Sequence, residues 1–143
     1  MKTFIRAIAL SNGLINVFGA GALLFAPEWF YQTIGDFPPF NQHYMGDTGA
    51  FLLALGLGLL IATRDPGRHR SLIGIAIVGN LVHLGNHLYD DFIVGHVTLA
   101  HLSLDTLPVL VLTVLLAGCY WALAAKQRSG VHPADSIQQE PVA

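Results

Sequence analysis

Gly79-Asn80-Leu81-Val82-His83-Leu84-Gly85-Asn86-His87-Leu88-Tyr89-Asp90-Asp91 closes an apolar run that begins at Leu72. Its reading decides the fold. Residues 72–88 are apolar enough to sit in a bilayer, yet the run carries two histidines four apart. On a helix that spacing puts both imidazoles on one face, about 6 Å apart along the axis. Asn80 is read onto the same face. Polar side chains inside a span are expensive and mark a functional site by default.

The rest of the chain agrees with a membrane setting. It is 53% hydrophobic and only 11% charged, against roughly 25% charged in an average soluble domain. Its mean hydropathy is +0.56. Working outward, residues 5–25 form an apolar segment behind Lys2 and Arg6, too long for a signal-peptide core and interrupted by Asn12 and Asn16. It is expected to be a retained span rather than a cleaved leader. Residues 47–63 form a second span, where Ala50, Ala54 and Gly58 repeat every four residues and invite a close helix neighbour. The third covers 72–88. The fourth covers 97–125, with Pro108 expected to kink it and free the Leu104 carbonyl. Between the first two spans, Pro27-Glu28-Trp29-Phe30-Tyr31 opens a short aromatic segment suited to the headgroup layer. Residues 127–143 lose periodicity and read as a disordered cytoplasmic tail, leaving one transmembrane domain over 1–126.

Charge placement orients these spans. All 7 lysines and arginines fall at the start of the chain (Lys2, Arg6), in the turn Arg64–Arg70, or after the fourth span. The other two connectors hold Glu28, Asp36, Asp90 and Asp91 instead. The expected fold is therefore an all-α bundle of four transmembrane helices, both termini cytoplasmic, in a bacterial-type plasma membrane.

That orientation gathers polar groups in the outer half of the bilayer. His43 and Asp47 mark the mouth of the second span, and His101 and Asp105 repeat the same spacing at the start of the fourth. Asn16 and Asn80 reach a similar depth and are candidates to line a bound cofactor. The three pairs, His43/Asp47, His83/His87 and His101/Asp105, are expected to meet. Simpler roles exist for several members: Asp47 as a helix cap, Asn12 as an interhelical hydrogen bonder, Asp90 and Asp91 as solvated rim residues, and Cys119 as packing. A lone cysteine excludes an internal disulfide.

Three chemistries fit. Imidazoles at i and i+4 can share a metal ion, so His83, His87 and His101 are candidate ligands for zinc, copper or iron, with Asp105 as ligand or orienter. Haem held by histidines of facing helices is a variant. Alternatively, His–Asp pairs (Asp105, Asp47 and His43) can act as acid–base groups on a lipophilic substrate such as a quinone, without metal. The third possibility is a non-catalytic accessory subunit of a larger membrane complex, or a homo-oligomer. The lipid bilayer is the expected surrounding, and no nucleic-acid partner is expected. No His-Glu-x-x-His motif, c-type haem attachment motif or nucleophile elbow occurs.

Over roughly residues 5–125, the order of four short spans, Pro27-Glu28-Trp29-Phe30 after the first, and Asp47-Thr48-Gly49-Ala50 opening a Gly/Leu-rich second span resemble the DoxX-like small four-helix membrane proteins. DoxX is named as a subunit of a thiosulfate:quinone oxidoreductase. The resemblance thus implies a four-helix fold, a quinone and a partner subunit, and it carries no catalytic residues onto His83, His87 or His101.

Overall fold

Twenty-four residues of continuous helix, Lys2–Phe25, open the chain as α1, about 36 Å of rise and enough to cross a hydrocarbon core. The computed structural model describes residues 1–35, 39–95, 97–99 and 102–130. Among them every regular element is helical: α2 Pro27–Thr33, α3 Gln42–Ala62, α4 Arg70–Tyr89 and α5 Leu107–Gly130 follow α1. Wider π-helical turns extend α4 through Asp90–Val94 and lead into α5 over Leu102–Thr106. Four stretches are long and apolar enough to cross a membrane: Lys2–Phe25, Gln42–Ala62, Arg70–Val94 and Leu102–Arg128. Their outward faces are apolar as well, with Phe18, Phe51, Val82 and Val114 exposed. In a bundle this small, lipid is the solvent that such faces match.

Backbone contact between α1 and α3 sets the closest pairing. A Cβ on Gly56 would lie 2.8 Å from Val17 Cγ2 and 3.0 Å from the Gly13 carbonyl oxygen. One on Gly49 would lie 3.3 Å from the carbonyl of Ala20 and 2.9 Å from Leu24 Cγ. The small residues at this crossing are therefore Gly49 and Gly56. Ala50 and Ala54, expected there from their four-residue repeat, are exposed; one helical position is a rotation of about 100°. The aliphatic core lies where all four long helices converge. Leu59, Ile73 and Leu116 are fully buried there with Ile5, Ala62, Ala76, Cys119 and Leu123. Cys119 packs, as its position suggested.

Up-and-down connectivity divides the charges between two ends. At the basic end, Arg6 Nη2 donates to the Arg64 carbonyl at 2.8 Å, joining the start of α1 to the turn after α3. Arg70 Nη1 donates to Gln127 Oε1, joining the start of α4 to the end of α5. The acidic end holds Glu28 of α2, Asp47 of α3, and Asp90 and Asp91 after α4.

Several boundaries differ from the sequence reading, each for a local reason. α3 begins at Gln42 because the Asn41 side chain accepts the Tyr44 N–H at 3.1 Å and caps it. Asp47 consequently lies in the second turn and caps nothing. In the last span Leu99 is already helical, and the Leu102 N–H bonds to the Thr98 carbonyl at 3.0 Å, so among the described residues helix is seen from Leu99 rather than Val97. Gly95, at φ 87°, ends the preceding π-turn by donating its N–H to the Asp90 carbonyl at 3.1 Å. Pro108 is the second residue of α5, but the π-turn Leu102–Thr106 runs into that helix without a break, and the span is continuous from Leu102 to Arg128. The missing N–H of Pro108 therefore falls inside the span and leaves the Leu104 carbonyl without its i+4 donor, and the wider turns sit directly before it. α5 also continues to Gly130, past the boundary expected at residue 127; residues 131–143 of the expected tail lie outside the described residues.

Candidate functional site

The acidic end is where the expected site residues fall, and they divide by helix. On α3, His43 Nε2 lies 3.6 Å from Asp47 Oδ2, both side chains well exposed. On α4, the Nε2 atoms of His83 and His87 face each other at 3.2 Å. Their rings meet edge to face, centroids 4.5 Å apart and planes at 80°. The α4 pair is thus already convergent, one nitrogen aimed at the other across a single turn.

The expected meeting of three pairs is not seen among the described residues. No group of three or more of the described His, Cys, Asp and Glu side chains comes together closely enough to hold one ion, so His43 and Asp47 do not join His83 and His87. His101 lies outside the described residues, as does the side chain of Asp105.

Both asparagines expected to line the site are buried. Asn80 is buried on the stripe Ile73–Ala76–Asn80–Leu84 that α4 turns into the bundle, whereas His83 is exposed. Asn80 and His83 stand about 60° apart around the helix and Asn80 and His87 about 20°, so Asn80 forms the inward edge of the histidine face. Asn16 is buried and donates from Nδ2 to the Asn12 carbonyl at 2.9 Å. Asn12 does the same to Ile8 at 3.0 Å. Both amides therefore bond back along α1 instead of bridging helices. The Asn12 Oδ1 is buried without a hydrogen-bond partner among the described residues.

One feature of this end escaped the sequence reading. Asp91 is only 1% exposed, and its Oδ2 accepts a hydrogen bond from the Thr106 hydroxyl at 2.7 Å. That bond ties the π-turn after α4 to the π-turn before α5. π-turns often occur at functional positions, because the wider winding re-aims side chains. A buried carboxyl group must keep its hydrogen bonds to be tolerated. Asp90 by contrast stays at the rim and accepts from Asn86 Nδ2 at 3.3 Å. The expectation that both aspartates are solvated thus fails for Asp91. The available signal was the α4 stripe itself: seven residues on from Leu84 is Asp91, not Asp90.

Beside these turns, Ile15 of α1 and Leu107, Pro108, Val111 and Leu112 of α5 line an apolar recess of about 390 Å³, with Ser103 at its polar edge. It opens sideways out of the bundle.

No protein-family model, curated protein or solved structure matches this chain.

Proposed function

We propose that this chain is an integral plasma-membrane protein that holds a transition-metal ion at the acidic end of its bundle. His83 and His87 supply two nitrogen ligands. His101 is the third ligand offered by the sequence, and Asp105 a fourth or an orienter of one imidazole. The observation that carries this reading is the 3.2 Å separation of the two Nε2 atoms. Two nitrogens each about 2.0–2.1 Å from one ion lie about 3.3 Å apart at the tetrahedral angle, and about 2.9 Å at a right angle. The α4 pair falls between these, so one ion can take both imidazoles with little side-chain movement. Redox-type chemistry calls for copper or iron at such a site, while zinc supplies Lewis acidity. A lipophilic substrate, a quinone for example, would reach the ion through the recess between α1 and α5.

Haem fits the α4 pair less well. Nitrogens this close cannot take opposite faces of one haem iron, which would instead pair one of them with a histidine of another helix. An absorption spectrum of the protein in mild detergent separates the cases: a Soret band for haem, weak d–d or charge-transfer bands for copper or iron, and neither for zinc.

The exposure of His83 favours a second reading. A polar side chain on the outer face of a membrane helix is satisfied most readily by a partner, as in a non-catalytic accessory subunit of a quinone-linked complex. The DoxX-like resemblance implies the same role. On that reading the protein purifies with a partner chain, and alanine at His83 breaks the complex without loss of a metal.

The placement of the acidic end toward the cell exterior, with both termini cytoplasmic, is part of the proposal. Its support is the confinement of the basic residues to the opposite end.

A further inference from the structure

Tyr120 of α5 lies against α4 where Gly74 leaves room, a Cβ at that position being 3.3 Å from the ring. The Arg70 guanidinium stands 4.9 Å over the Tyr120 ring centroid, and its Nη1 is held by Gln127. Stacking and hydrogen bonding together fix the guanidinium plane and leave its other N–H donors directed by that plane. Arg70, Tyr120, Gln127 and Arg128 line an open cleft of about 640 Å³ with Trp121 and Ala124. Two guanidinium side chains thus border one cleft at the basic end, and among the described residues no carboxylate lines it. Trp121, 70% exposed, continues the cleft along the outward face of α5 toward the apolar zone.

Charge complementarity and position identify the occupant. A guanidinium held in plane recognises a phosphate oxygen pair, and indole rings prefer the membrane–water interface. We propose that this cleft binds the headgroup of an anionic phospholipid. The phosphate lies between Arg70 and Arg128, and the first acyl segment runs over Trp121 and Ala124. The proposal rests on the four membrane spans and is independent of the histidine site.

The two tryptophans of the chain are Trp29 and Trp121, so a Trp29→Phe variant reports from the cleft alone. It is reconstituted in phosphatidylcholine vesicles containing brominated phosphatidylglycerol or, at the same mole fraction, brominated phosphatidylcholine. The proposal expects Trp121 to be quenched by the anionic lipid with a preference of roughly tenfold, two basic side chains each adding a several-fold factor. Arg70→Gln and Arg128→Gln should each reduce that preference several-fold. Arg128, exposed on the last turns of α5, is the variant whose folding is least at risk. Equal quenching by the two lipids, or a preference unchanged in Arg128→Gln, would overturn the proposal. So would displacement by inorganic phosphate, which would make the cleft a free-phosphate site.

Discussion

At the scale of single residues, Asp91 and Asp90 show how one position changes the energetics of an otherwise equivalent side chain. Asp90 is partly exposed and bonded at 3.3 Å; Asp91 is buried and bonded at 2.7 Å. Replacing Thr106 by valine keeps the shape and removes the donor. It should destabilise the protein by about 1–3 kcal/mol, the cost of an under-satisfied buried polar group. Thr106→Ser keeps the hydroxyl and should lose less, and Asp90→Asn should fall within about 0.5 kcal/mol of the parent. Denaturation in detergent checks the series; if Thr106→Val were as stable as Asp90→Asn, the buried bond would contribute nothing. The histidines were legible in the sequence because i, i+4 spacing needs only a helix. Asp91 was not, because adjacent aspartates at a span end read alike until the buried stripe of α4 is known to continue past Leu84.

At the scale of elements, hydropathy located the four spans, since lipid-facing and core-facing positions are both apolar and the signal does not depend on phase. Phase is what it lacks. The α1–α3 crossing therefore rests on Gly49 and Gly56, one position before and two positions after the repeated Ala50 and Ala54. Gly56→Ala puts a methyl 3.0 Å from the Gly13 carbonyl oxygen and the Val17 backbone nitrogen. It should destabilise by about 1–3 kcal/mol through overpacking, while Ala54→Leu, on an exposed face, should be tolerated. Equal thermal stability of the two variants would show that α1 and α3 do not pack through this glycine. Starts were legible only where a cap or proline announced them. Pro27 did so for α2; α3 starts five residues before its apolar stretch because Asn41 caps a polar first turn.

For the molecule as a whole, the division into basic and acidic ends leads to a topology that can be measured. In a Cys119→Ala background, a cysteine at exposed Gln42, on the acidic end, should react with a membrane-impermeant maleimide added to intact cells. A cysteine at Arg68, in the basic turn between α3 and α4, should react only after permeabilisation. The reverse pattern would invert the proposed orientation. The same division separates two sets of groups in one small bundle: an aliphatic core and a cleft bordered by Arg70 and Arg128 at the basic end, a histidine pair and a buried carboxyl group at the other. The central claim concerns that pair, and metal stoichiometry tests it most directly. Elemental analysis of the protein purified in mild detergent, before and after metal add-back, should find about one equivalent of copper, iron or zinc bound through nitrogen ligands. His83→Ala, folded by circular dichroism, should lose it. A protein that stays metal-free after add-back, or a His83→Ala variant that retains the full equivalent, would contradict the account.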